Sequence, residues 1–390
     1  MKKSFFMLLA SLTLAVSCQE SIKDLSDRVF EVAAYQLAEM DKNITDTTLP
    51  KTAKYGKVIT SETKWWCSGF YPGSLWYVYK YTGNEDIKAL AEKNTEKLYI
   101  ETQVIRNHDI GFMVNCSWGN ALRITGDEKY REPLINAAKL LTTRFNPTVG
   151  LTQSWDITKK RLHWRFPVII DNMMNLEILT QAHKLGGSDS LMTVALSHAN
   201  TTMKNHFRDD YTTWHVVDYD PETGDIRMKV THQGYSDDSA WARGQAWAVY
   251  GYTMMAREVG EPAYLAHAEN IARMLLERLP EDGIPYWDFN APDIPDCYRD
   301  ASAGAIMASA FLELATLTKD AALSKACYKM GEKQIRTLAS DEYLAEPGRN
   351  ANFLLKHSVG SYPSNSEVDV PLTYADYYFL EALLRINKML

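Results

Sequence analysis

The chain has 390 residues, of which 46% are hydrophobic, 23% charged and 11% aromatic, so it can bury a large core and is neither disordered nor a coiled coil throughout. Its formal net charge of -7 excludes a nucleic-acid binder with a basic face, and any anionic ligand must be met by a local basic pocket. Ten tryptophans and 22 tyrosines exceed ordinary core needs and suit flat ligands such as sugar rings.

The chain opens with Lys2 and Lys3, followed by an apolar run over 5–16 that closes on Leu14-Ala15-Val16-Ser17-Cys18. This pattern reads as a secretory leader, too short to span a bilayer. A small residue directly before cysteine resembles a bacterial lipobox, so residues 1–17 are expected to be removed and Cys18 to become the lipidated first residue. The alternative is an ordinary signal peptide that happens to contain a cysteine. The expected location is the bacterial cell envelope, periplasm or outer membrane. Gln19 in place of Asp favours the outer membrane, by analogy with sorting rules in other bacteria. After the leader no apolar run approaches the ~18 residues a spanning helix needs, so membrane contact is expected through the lipid alone.

Residues 18–390 show no Pro/Ser-rich linker and no shift in composition, and read as one domain. Cys67, Cys116, Cys297 and Cys327 lack zinc-site spacing, so no metal is expected. An oxidising envelope permits two disulfides, but small buried hydrophobes are the preferred reading of all four.

A repeated punctuation organises the chain: Thr82-Gly83-Asn84-Glu85-Asp86, Thr125-Gly126-Asp127-Glu128, Gly186-Gly187-Ser188-Asp189, Val259-Gly260-Glu261-Pro262 and Thr318-Lys319-Asp320. In each, a helix C-terminal signal is followed by an acidic first turn, the mark of an αα-hairpin. Their unequal spacing does not fit a solenoid of fixed period. Segments before the turns, 66–81, 118–125, 172–185, 241–258 and 302–317, are rich in aromatic and small residues. Segments after them carry 3.6-residue spacing, as in Leu134, Ala137, Ala138 and Leu141 or Ile271, Met274, Leu275 and Leu279. With a last helix over 374–389, about six inner helices predict an all-α toroid whose loops frame a funnel at one end. The only sheet expected is a small hairpin over 214–230, turning at Pro221-Glu222-Thr223-Gly224.

Four clusters precede inner helices. Trp65-Trp66-Cys67-Ser68-Gly69 suits a sugar-stacking platform or a core cap. His108-Asp109 opens a helical run, where an aspartate also serves as an N-cap. Asp171-Asn172-Met173-Met174-Asn175 follows the apolar stretch 166–170, whose desolvation should raise the Asp171 pKa and keep a general acid protonated. In the run from His232 to Trp247, Arg243 and Trp247 share a helix face and together suit clamping a carboxylate and stacking the ring that bears it, unless Asp237 or Asp238 neutralises Arg243 in a structural bridge. No phosphate loop, nucleophile elbow or His-Glu-x-x-His occurs.

Taken together, His108-Asp109-Ile110-Gly111-Phe112, Asp171 to Asn175 and His232 to Trp247 resemble the unsaturated glucuronyl hydrolases, glycoside hydrolase family 88. The resemblance implies an (α/α)6 toroid of six inner and six outer helices and no cofactor. It also implies removal of a 4,5-unsaturated uronic acid from the non-reducing end of lyase-made oligosaccharides, by hydration of the C4=C5 double bond. Asp171 matches the acid/base and Asp109 its supporting carboxyl. His108, His215, Gln233, Arg243 and Trp247 match substrate contacts, and Trp66 and Trp155 match stacking residues, with Trp164 as the alternative to Trp155. Ser361 and Ser364 stand where relatives bind a sulfate, yet 358–384 holds no Lys or Arg. The alternatives are an unsaturated rhamnogalacturonyl hydrolase acting on pectin fragments, and a non-catalytic glycan-binding lipoprotein.

Overall fold

The computed structural model describes residues 19–158 and 163–390. The expected leader and Cys18 lie outside them. Twelve α-helices occur among the described residues: α1 (Ile22–Asp41), α2 (Phe70–Thr82), α3 (Glu85–Glu96), α4 (Asn120–Thr125), α5 (Arg131–Thr142), α6 (Leu176–Lys184), α7 (Asp189–Asn205), α8 (Ala242–Val259), α9 (Pro262–Arg278), α10 (Ala301–Leu317), α11 (Ala321–Leu338) and α12 (Thr373–Ile386). A π-helical stretch, Gly111–Gly119, runs into α4, and a 3-10 stretch, Ile170–Asn175, runs into α6.

The turn chemistry expected from sequence sets these ends. Gly83, Gly126 and Gly260 close their helices with φ of 66°, 67° and 76°, a conformation glycine adopts without a Cβ penalty. Asn84, Ser188 and Asp320 cap the next helices through their side chains, and Asp127 caps the short turn that leads into α5. α1, which the sequence reading did not mark, is capped by Ser21 and packs against α2 and α3.

Packing separates the helices into two kinds. α8 is buried continuously over 242–255 and α10 over 301–314, as helices apolar on every side must be. α5 buries one stripe only, Leu134, Ile135, Ala137, Ala138 and Leu141. The inner elements touch in order: α2 packs on the π-helical stretch, that stretch on α6, α6 on α8, α8 on α10, α10 on α12, and α12 on α2 again. All but the last of these inner elements are followed by an outer helix that packs against them.

The expectation of a single small sheet is corrected, since four small antiparallel sheets occur. They pair Thr48–Lys54 with Lys57–Glu62, Phe145–Asn146 with Leu151–Thr152, and Ser358–Ser361 with Ser366–Val370, while Val216–Tyr219 lies between Pro167–Ile169 and Ile226–Val230. Ser361 and Ser364, on a segment expected to carry no strand, lie at the end of one strand and in the turn of the Ser358–Val370 hairpin. Composition hid this hairpin, because its Ser, Pro and Asn residues read as turn formers and its two strands are only 4 and 5 residues long. Cys67, Cys116, Cys297 and Cys327 are all free thiols, three of them buried.

Candidate active site

All six inner elements begin at the same end, with Phe70, Gly111, Ile170, Ala242, Ala301 and Thr373 as first residues. Contacts among these starts establish the convergence. The Trp66 ring meets Phe70, Phe112 and Tyr374, Phe112 meets Trp247, and Arg243 pairs with Asp300, which caps α10. The helix dipoles give this end a positive bias, which suits an anionic ligand in a chain that is acidic overall.

A cavity of about 280 Å³ opens there, lined by Trp65, Trp66, His108, Asp109, Ser154 and Trp155 among others. Trp66 and Trp155 are both half-buried, whereas Trp164 is only 6% exposed and packs against Trp155. Of the two alternatives, Trp155 is therefore the ring that lines the cavity.

Neither aspartate is spent on capping a helix. Burial pushes Asp109 up to about 7, against Asn175 and the charge of Arg144, which favour its ionised form. Burial likewise pushes Asp171 up to about 7; Arg243 opposes this, Asp109 adds to it, and the Trp247 indole N–H helps to hold it down. Desolvation wins in both places, so each carboxyl is about half protonated near neutral pH. The apolar approach seen in the sequence is real: Val168, Ile169 and Ile170 are buried, and Asp171 sits in the first turn after them.

Asp171 Oδ2 is buried and accepts no hydrogen bond among the described residues. The His215 ring lies beside it. The His215 Nδ1 accepts the backbone N–H groups of His232 at 3.1 Å and Gln233 at 3.2 Å, so Nδ1 is bare and the neutral ring carries its proton on Nε2. Burial, with the charge of Arg243 among its lesser causes, keeps His215 neutral by holding its pKa well below the usual range. Its Nε2 lies 3.9 Å from Asp171 Oδ2 and is also unbonded. A water or substrate oxygen at hydrogen-bond distance from both atoms would satisfy both, and unsatisfied buried pairs of this kind mark ligand positions.

Arg243 is placed differently from a simple open clamp. It is buried, pairs with Asp300 at 3.2 Å, and donates to the carbonyls of Val359 and of Gly360, the latter at 2.5 Å. The structural bridge weighed for Asp237 or Asp238 is thus made by Asp300, 57 residues away, where no local pattern points to it. Arg243 lies over the Trp241 ring and reaches Asp171 through its charge. Gln233 donates to the same Gly360 carbonyl at 3.0 Å. The Trp247 ring is wholly buried against Phe112 and Tyr378, which removes ring stacking from its roles and leaves its N–H beside Asp171. Ser361 and Ser364 bond to each other at 3.0 Å on the hairpin turn just past Gly360. Lys51, from the neighbouring hairpin, reaches Glu367 at 2.7 Å.

Three residues around these carboxyls escaped the sequence reading: Asn172, Asn175 and Asp300. The two asparagines stood inside a motif already singled out, and their polar ends within an apolar stretch were the available signal.

The family model described as Glycosyl Hydrolase Family 88 matches residues 36–382. An unsaturated glucuronyl hydrolase of Formosa agariphila is 46% identical over 331 residues, covering 84% of this chain and 81% of its own. A crystal structure of an unsaturated glucuronyl hydrolase specific for heparin superposes with a TM-score of 0.90 at 45% identity, covering 94% of this chain and 98% of its own. A variant of the Streptococcus agalactiae enzyme, complexed with dGlcA-GalNAc6S, matches with a TM-score of 0.79 at 29% identity, covering 94% and 92%.

Proposed function

Because the chain belongs to glycoside hydrolase family 88, we propose that it is an unsaturated glucuronyl hydrolase that removes the 4,5-unsaturated uronic acid from glycosaminoglycan oligosaccharides made by a lyase. The single observation that carries the reading is Asp171, a carboxyl held up to about 7 with one buried oxygen unbonded beside the His215 N–H.

Protonating an alkene carbon needs an undissociated acid, and burial supplies one at neutral pH. Asp171 gives its proton to C4, and positive charge develops at C5 and the ring oxygen. Water adds to C5 as Asp171, now a carboxylate, takes a proton from it. The hemiketal opens to a ketone at C5, which leaves a hemiacetal at C1 that expels the next sugar as its alcohol. His215 Nε2–H orients the attacking oxygen, and Asp109 hydrogen-bonds the ring hydroxyls. Arg243 and Gln233, fixed on the Gly360 carbonyl, with the inner helix N-termini, favour the uronate carboxylate. Trp66 and Trp155 hold the sugar rings, and Ser361 and Ser364 sit at the rim where the leaving sugar passes.

The order of inner contacts supports an (α/α)6 toroid, with α3, α5, α7, α9, α11 and α1 as the outer helices. Cys18 is the proposed lipid attachment, placing one domain over 18–390 at the cell envelope.

The test is optical. Lyase products absorb in the ultraviolet through their conjugated double bond, so purified enzyme should abolish that absorbance on heparin- or chondroitin-derived unsaturated disaccharides. Unchanged absorbance on both, with pectin-derived products consumed instead, moves the assignment to rhamnogalacturonyl substrates. Binding without loss of absorbance turns it to a non-catalytic glycan receptor.

A further inference from the structure

Both carboxyl oxygens of Asp109 are contacted by groups that the segment following Asp171 holds in place. Asn175, 2% exposed, accepts the backbone N–H groups of Gly111 at 2.8 Å and Phe112 at 3.3 Å through Oδ1, and its Nδ2 reaches Asp109 Oδ1 at 3.4 Å. A Cβ on Gly111 would come within 2.7 Å of the Asn175 backbone, so the two segments are pressed together. Asn172, also 2% exposed, donates from Nδ2 to the Thr152 carbonyl at 2.7 Å and meets His108 Nδ1 with its Oδ1. His108 Nε2 in turn lies 3.2 Å from Asp109 Oδ2.

The hydrogen-bond inventory fixes the direction of this chain. A carbonyl only accepts, so the amide nitrogen of Asn172 must face Thr152 and its oxygen must face His108. His108 Nδ1 therefore carries a hydrogen. A neutral imidazole protonated on Nδ1 is bare on Nε2, and a bare Nε2 meets a carboxyl oxygen at 3.2 Å only with a proton between them. If Asn172 were absent, the ring could turn its N–H to Asp109 and leave a full carboxylate there, with one proton fewer on the pair.

We propose that Asn172 is a positioning residue for the hydration reaction: by fixing His108 as the Nδ1–H tautomer it keeps the second proton on the His108–Asp109 pair and so keeps Asp109 uncharged beside Asp171. Among the described residues the other ionisable groups near the pair are Arg144, Asp171, Cys67 and His198, and none of these donates to Asp109. His198, on α7, accepts the Thr152 N–H through Nδ1 at 3.0 Å, so the chain is anchored in an outer helix. An uncharged Asp109 does not repel the uronate, and it avoids burying an imidazolium–carboxylate pair. The reaction role rests on the function proposed above, whereas the tautomer does not.

The tautomer can be read without turnover. In ¹⁵N-histidine enzyme, a long-range ¹H–¹⁵N spectrum should show His108 protonated on Nδ1 and bare on Nε2 at pH 6, the signal being assigned by its loss in His108→Gln. In Asn172→Ala the signal should switch to Nε2–H, kcat/KM for the unsaturated disaccharide should fall at least tenfold, and its alkaline limb, set by Asp171, should move to higher pH because a charged Asp109 favours the protonated form of its neighbour. Asn172→Asp, which keeps the acceptor, should retain the Nδ1–H signal. A wild-type ring protonated on Nε2, whether as the Nε2–H tautomer or as the imidazolium, overturns the proposal whatever the variants do. So does an Asn172→Ala enzyme that loses thermal stability while keeping both tautomer and pH limb. Should Asn172→Ala fail to fold, the wild-type and Asn172→Asp spectra decide.

Discussion

The two ends of the barrel use the same residue types to opposite effect. At the end where the inner helices finish, a cavity of about 580 Å³ is lined by Glu177, Glu258, Glu313 and Glu381 together with Arg123, Arg257 and Arg385. There every acid has a cation. Arg257 touches Glu177 at 2.5 Å, Glu258 at 2.9 Å and Glu313 at 2.5 Å, while Arg385 touches Glu313 at 2.6 Å and Glu381 at 3.7 Å. Burial pushes Glu313 up, but Arg385 and Arg257 outweigh it and hold the carboxyl below its usual range, whereas at Glu177 burial prevails over Arg257 and Arg123 and raises it. At the funnel end Arg243 is turned to Asp300 and two carbonyls, and burial wins at Asp109 and Asp171. Arginines at helix C-termini also complement the dipoles, whereas buried acids beside few cations at the N-termini are held ready to lose a proton. A raised pKa alone does not mark the site. Asp376 is pushed up to about 7 by burial as well, yet its oxygens accept the Leu354 and Leu355 N–H groups, so it has a structural use.

The largest expected effect breaks the comparison at the funnel end. Asp171→Asn cannot supply the proton and should lower kcat roughly 10³-fold, while the Kd for an unsaturated disaccharide, measured by calorimetry, stays within a few-fold. A variant that keeps its kcat would place the acid elsewhere.

Next in size, Arg257→Leu leaves three acids without their shared cation at the other end. It should destabilise the fold by about 3 kcal/mol, read by denaturant unfolding, with kcat per folded molecule unchanged. A loss of kcat at constant stability would mean that the two ends are coupled.

Third is the pH profile. Asp171 must be protonated to act, so kcat/KM should fall towards tenfold per unit above about pH 7 and should not fall between about pH 5 and 6.5. A limb near pH 4 would show that the carboxyl is not held up.

The same burial has a smaller, opposite consequence for stability. The folded value of Asp171, about 7, lies above its ordinary 3.8. Its contribution is therefore complete below about pH 4 and is lost as pH rises through 7. The amide that replaces the carboxyl in Asp171→Asn bears no charge at any pH, so the Tm of this variant should match wild type near pH 4 and exceed it by a few degrees at pH 8. Equal Tm values at both pH values would remove burial as the cause.

Legibility from the sequence followed the range of the interactions. Hairpin turns could be read because Gly83, Asn84, Gly126, Asp127, Ser188 and Gly260 act within a few residues of themselves. Both candidate catalytic carboxyls could be read from local patterns and the family resemblance. What stayed hidden was paired across the chain: Arg243 with Asp300, Asn172 with His108, and Lys51 with Glu367. The hairpins outside 214–230 stayed hidden for another reason, since they pair locally but through strands of only two to seven residues without a clean alternation.

The choice between Trp155 and Trp164 was open in the sequence because each lies close to a short strand, Trp155 after Leu151–Thr152 and Trp164 before Pro167–Ile169, and only burial separates them. Trp155 faces the cavity with its edge towards His215, 6.0 Å between ring centres, so it can meet a sugar ring on one side while the site's histidine sits on another. Trp164 packs with Ile169 and Val216 under it. Truncating Trp155 should therefore cost binding: KM up several-fold, about 1 kcal/mol, with kcat and Tm close to wild type. Truncating Trp164 should cost stability first, because a buried indole leaves a cavity, and should change KM only as Trp155 loses its support. If Trp164→Ala raised KM more than Trp155→Ala at equal stability, the sugar would be meeting the inner ring, and the loop carrying Trp155 would have to move aside on binding.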